Sequence, residues 1–172
     1  MKLKWIITSV GSIIVAVLTV IAIIASIPEI DVAFNTDLSY RGPVYSTGEF
    51  DYAIHKKQET GFSEPTSVCF RVENKGENLS PLIAANNFLV GLETNAIQCD
   101  ECSIYADMDV LESQGNGEFC KRVLVSDEQD QVHFKVLASW TTWKIPSSKA
   151  TIFTCEKTDE TDYKADYHCK RN

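Results

Sequence analysis

Apolar residues occupy every second position through Val68, Phe70 and Val72, with Cys69, Arg71 and Glu73 between them. Asn74-Lys75-Gly76 then supplies residues that tolerate positive φ, so the pattern predicts a strand running into a turn. The alternation recurs at Phe88, Val90 and Leu92; at Ile104, Ala106, Met108 and Val110; and at Phe119, Lys121, Val123 and Val125. Its clearest example is Val132, Phe134, Val136, Ala138 and Trp140, interleaved with His133, Lys135 and Ser139. Such a run describes a strand with one face in a core, Trp140 included, and the other mostly in water. Ile152 to Cys155 predicts a further short strand, and Ile30 to Phe34 and Val44 to Ile54 two weaker ones. Turn formers concentrate at Ser113 to Gly117, Ser126 to Gln131 and Ile145 to Ser148, while Leu79 to Asn87 fits a loop or a short helical crossover. Seven or eight short strands without intervening helices predict an all-β fold, an antiparallel β-sandwich.

The N-terminus carries a different pattern. Trp5 to Ile27 is 23 residues without a charge, roughly 34 Å as a helix against a hydrocarbon layer of roughly 30 Å. Lys2 and Lys4, the only charges before it, favour a cytoplasmic N-terminus and an exported remainder. The expected organisation is a cytoplasmic stub (1–4), a transmembrane signal-anchor helix (5–27), a membrane-proximal segment with one or two strands (28–65), and a disulfide-stabilised sandwich with a C-terminal tail (66–172). Ala25 ahead of Pro28 offers a signal peptidase a small residue, which leaves cleavage and secretion as the alternative; the length of the run favours retention. Within the run, Thr8, Ser12, Ala16, Thr19, Ala22 and Ser26 recur at helical spacing and make one stripe of small side chains. In a bilayer such a stripe suits close packing against a partner helix or a second copy, although serine and threonine can also satisfy themselves on their own backbone.

Charge and cysteine content sharpen this picture. The 172-residue chain carries a net charge of −8, and without Lys2 and Lys4 the remainder is two charges more negative, a poor partner for nucleic acid. All six cysteines follow the apolar run, and disulfides persist in exported domains. Cys155 and Cys169 bracket the polar stretch from Glu156 to His168, where a bridge would pin the tail. Cys99 and Cys102 can join each other or take separate partners, with Cys69 and Cys120 as candidates.

The stretch from Val68 to Gly76, followed by Phe88 to Leu92 and the Val132 to Trp140 strand, resembles the immunoglobulin-like adhesion-type domains of prokaryotic surface proteins. The resemblance covers roughly residues 66 to 155 and implies an immunoglobulin-like sandwich with no catalytic residues. It departs from antibody-type domains in having no tryptophan at the usual spacing after Cys69.

Little else in the chain points to chemistry. Cys99-Asp-Glu-Cys102 has redox or half-zinc-site spacing, but its two acids oppose a stabilised thiolate and no second such motif follows, which favours a structural disulfide. His55, His133 and His168 share no metal-ligand spacing, and neither a G-x-S-x-G nor a phosphate loop occurs. Asp107 with Asp109, and Asp127-Glu128 with Asp130, offer oxygen ligands of the kind calcium takes, but they lack EF-hand spacing and read as solvated acids. No catalytic, cofactor or metal residues are therefore assigned. Trp143, just past the longest strand, is a candidate contact residue, and Asn78-Leu-Ser80 is the single glycosylation sequon, with Pro81 after it. The expected function is a membrane-anchored, extracytoplasmic binding or structural module, such as an accessory subunit of a membrane or cell-surface complex, held in the membrane by residues 5–27 and working through a protein partner or self-association. An extracytoplasmic thiol oxidoreductase or metal-binding protein using Cys99 and Cys102 is the alternative.

Overall fold

The computed structural model describes residues 11–21, 28–36, 43–56, 65–76, 86–100, 102, 106–108, 115–126, 128–142 and 145–172. The strands are β1 (Ile30–Asn35), β2 (Tyr45–Ser46), β3 (Phe50–His55), β4 (Thr66–Asn74), β5 (Asn86–Thr94), β6 (Gln98–Asp100), β7 (Ala106–Met108), β8 (Asn116–Leu124), β9 (Gln131–Thr142), β10 (Ile145–Glu160) and β11 (Lys164–Arg171). They form two antiparallel sheets, a first of order β2-β1-β4-β8-β6 and a second of order β3-β11-β10-β9-β5-β7. The all-β expectation holds.

Period-two alternation explains how the sheets meet. Val68, Phe70 and Val72 of β4 and Val132, Phe134, Val136, Ala138 and Trp140 of β9 are buried, as the pattern requires. Phe34 of β1 lies between the sheets, its ring centroid 5.0 Å from Phe70 in its own sheet and 5.1 to 5.8 Å from Tyr52, Phe134 and Phe153 in the other. Trp140 stacks on Phe88 at 5.9 Å toward one end of the same core. Short strands occupy three of the four sheet edges, with two residues in β2 and three each in β6 and β7, which limits the backbone left open to further pairing.

Three sequence expectations are corrected. First, the division at residue 65 does not separate two parts. Strand β1 pairs with β4 from Ile30↔Asn74 to Phe34↔Phe70, and β3 pairs with β11. The chain between Pro28 and residue 65 thus supplies β1 and β2 to the first sheet and β3 to the second, non-local pairings that a local pattern cannot reveal. Second, the expected C-terminal tail is a hairpin of β10 and β11. Thr161 N–H donates to Lys164 O at 2.8 Å in its turn, and Ala165, Tyr167 and Cys169 are buried at period two. Third, Ile145 to Ser148 is strand, paired with β9 through Thr142 to Ser139. Pro146 fits there because β11 begins to pair with β10 only at Phe153, leaving that edge without a ladder to break.

Residues 11–21 are helical, and among the described residues no helix is long and apolar enough to cross a membrane. The stub and both ends of the expected span, 1–10 and 22–27, lie outside the described residues. So do Ile104, Val110 and most of Leu79 to Asn87, of which Asn86 and Asn87 open β5.

Candidate functional site

The outer face of the first sheet carries a compact set of reactive and charged groups. Alternation sends Cys69 and Arg71 of β4, and Glu118 and Cys120 of β8, to the side opposite the buried Phe70 and Phe119. Register then sets Cys69 opposite Cys120 and Arg71 opposite Glu118. The two cysteines are bridged with their Cα atoms 4.1 Å apart. Tyr45, held over this face by β2, donates its hydroxyl to Glu118 Oε1 at 2.5 Å, and the Arg71 guanidinium lies 5.9 Å from its ring centroid. Partial burial, with the Glu118 hydrogen bond and charge, pushes the Tyr45 phenol up to about 12, so it remains a donor at physiological pH. Arg71 Nε is buried without a hydrogen-bond partner among the described residues. Ligand-type atoms of Cys69, Glu118 and Cys120 lie within 4.8 Å of one another.

The second sheet has a polar outer face as well. Asp51, Ala53, Asp166, His168, Thr158 and Asp159 line an open recess of about 550 Å³ over β3, β11 and β10, with Tyr52 at its floor. His168 is opposite Asp51, its Nδ1 3.1 Å from Asp51 Oδ1, and Lys164 reaches Asp166 at 2.7 Å. A register shift between Lys157 and Asp159 accompanies the Thr158 hydroxyl bond to Asp166 O at 3.1 Å. The recess presents three carboxylates and an imidazole on a shallow surface. Its geometry suits contact with a cationic surface better than enclosure of a small molecule.

The other bridges are Cys99–Cys102 and Cys155–Cys169, and no free cysteine remains. Cys155 and Cys169 are register partners inside the core rather than the clasp of a loose tail. Of the small-residue stripe, Ser12, Ala16 and Thr19 lie on the described helix, where the Thr19 hydroxyl donates to Val15 O at 2.8 Å. Thr8, Ala22 and Ser26 lie outside the described residues, as do Trp143 and Asn78. The sequence reading places the potential metal chemistry at Cys99 and Cys102; the structure gathers Cys69, Glu118 and Cys120 instead. Glu118 and Cys120 share a face by their spacing alone, but Cys69 joins them only through a pairing across 51 residues. No protein-family model, curated protein or solved structure matches the chain.

Proposed function

We propose that the protein is a membrane-anchored, extracytoplasmic immunoglobulin-like module that works by surface contact, as a binding or structural subunit of a cell-surface or membrane complex. The observation that carries this reading is the complete pairing of its six cysteines in an all-β domain, with none left free. Bridges of this kind accumulate where thiols are oxidised, outside the cytoplasm. The helix of residues 11–21 supports the anchor: Ile13, Ile14, Val15, Val17, Leu18, Val20 and Ile21 are all exposed and need a bilayer or another helix to cover them.

Strand order supports the immunoglobulin-like part. Strands β1-β4-β8 and β5-β9-β10 follow the order and chain sequence of A-B-E and C-F-G in that architecture, with β6 in the place beside E that D takes. Strands β3 and β11 extend the second sheet beyond G. The bridges differ from the antibody pattern, since Cys69–Cys120 and Cys155–Cys169 each join neighbours within one sheet rather than linking the sheets. The acidic recess over β3, β11 and β10 is the surface this reading offers to a partner bearing basic groups.

The topology provides the test. Protease added to intact cells should remove the bulk of residues 28–172 while a short N-terminal remnant stays with the membrane. Protection of the Cys169 end, in an envelope shown to admit the protease, would reverse the model.

A further inference from the structure

We infer that the Cys69–Cys120 bridge masks a latent metal site: opened by a dithiol, its two sulfurs and the Glu118 carboxylate bind one thiophilic divalent cation of the zinc class. Three features of the outer face carry this inference. The first is geometric. Cys69 and Cys120 are opposed on paired strands, and Glu118 stands two residues from Cys120 on the same face. Buried Val68, Phe70 and Val72 on β4 and Phe119 and Val123 on β8 hold the ladder together independently of the bridge. In the bridged form the three ligand atoms span no more than 4.8 Å, so opening the bond leaves both sulfurs on facing strands beside the carboxylate.

The second feature is access. Cys120 is exposed and Cys69 half-buried, whereas Cys155 is 1% and Cys169 0% exposed. A dithiol can reach the first pair in the native protein and must wait for the second to be uncovered. The third is charge. Arg71 lies two residues from Cys69 on the same face, opposite Glu118, and among the described residues keeps a buried Nε donor without a partner; its guanidinium offsets the carboxylate beside the sulfurs, which alone would oppose thiolate.

The chemistry balances as two exchanges followed by ligation. One thiolate of the dithiol attacks Cys120 Sγ, forming a mixed disulfide and releasing the Cys69 thiolate. The second thiol then displaces Cys120, so the protein gains two electrons and the dithiol leaves as its own disulfide. The cation binds both sulfurs as thiolates, displacing any thiol protons, while Glu118 adds a carboxylate oxygen. Three protein ligands leave a fourth tetrahedral position for water or a further ligand.

The experiment uses the full-length chain in detergent, with a Cys99→Ser/Cys102→Ser background that removes the remaining pair from the count. Excess dithiothreitol is applied without denaturant and removed under anaerobic conditions. Alkylation with mass spectrometry then reads each cysteine, and cadmium is titrated while the thiolate-to-cadmium ultraviolet band is followed. Cys69 and Cys120 should label while Cys155 and Cys169 stay protected, and one cadmium should bind per chain, with none bound by the oxidised protein. Loss of even an outer-shell partner weakens metal sites about 10- to 100-fold, so Glu118→Gln should bind at least about tenfold more weakly. Labelling of Cys155 and Cys169 to the same extent as Cys69 and Cys120, no stoichiometric cadmium after verified reduction, or unchanged affinity in Glu118→Gln would each overturn the inference.

Discussion

Phe34 shows how far one residue's role can exceed its local signal. It ends a short alternation that includes only Ile30 and Val32, yet it is fully buried and its ring meets those of Phe50, Tyr52, Phe70, Phe134 and Phe153. Those rings come from both sheets, so Phe34→Ala should lower stability by about 3–5 kcal/mol, the usual cost of emptying an aromatic core position. Thermal melting would read it, and a loss below about 1 kcal/mol would mean the neighbours collapse into the space. Asn74 makes the complementary point for a polar residue. The sequence marks it as a turn former, but it is fully buried, and its Oδ1 accepts from Glu29 N at 3.2 Å and Gly76 N at 3.1 Å. Asn74→Ala would strand those donors, and urea titration should show a loss of about 1–3 kcal/mol. The cysteines were equally legible as residue types, and Cys155–Cys169 and Cys99–Cys102 as candidate pairs, whereas Cys69–Cys120 depended on a register that no single strand encodes.

At the scale of elements, β1 is tied to both sheets by one carboxylate. Asp31 pairs with Lys75, just past β4, at 2.6 Å and with Arg171 on β11 at 2.6 Å. Burial alone would push the Asp31 carboxyl up, but hydrogen bonds and charge from Lys75 and Arg171 outweigh it and hold it below its ordinary value. A depressed folded value means the stabilisation is complete above the unfolded carboxylate value, about 3.9, and is lost as pH falls through the lowered folded one. Asp31→Asn should therefore cost about 1–2 kcal/mol at pH 7. The difference from the unaltered protein should shrink in melts taken below about pH 3; a pH-independent difference would assign the loss to packing. The β10–β11 hairpin is a second case. Its alternation at Ala165, Tyr167 and Cys169 is buried but diluted by lysines, acids and a histidine, so composition suggested a tail. Cys155–Cys169 spans 14 positions across that hairpin, and closing a loop of about 15 residues contributes about 3 kcal/mol. Calorimetry of a Cys155→Ala/Cys169→Ala variant should show a loss of that order.

For the whole molecule, the decisive feature is that the chain before residue 65 completes a core begun after it. The longer strands of 66–155 were legible because each carries its own alternation, whereas the three-residue β6, the polar start of β10 and the roles of β1 and β3 emerge only when distant strands pair. Ile30, Val32, Phe34 and Ile54 are each at most 4% exposed, and they face apolar residues of β4, β9, β10 and β11 in one continuous cluster. Burying such a side chain contributes about 1.5–3 kcal/mol, so these four together rival the entire net stability of a typical domain, about 5–15 kcal/mol. Removing them would also uncover the free edge of β4 in the first sheet and of β11 in the second. A fragment of residues 66–172 is therefore expected to lack a cooperative melting transition and to aggregate, while residues 28–172 should melt as a single unit. Intact disulfides do not rescue the fragment, because both long-range bridges lie within it and neither replaces the missing apolar surface. Calorimetry of the two fragments under oxidising conditions decides the matter. A sharp, reversible transition from 66–172 alone would restore the division at residue 65 and reduce β1 and β3 to accessory strands.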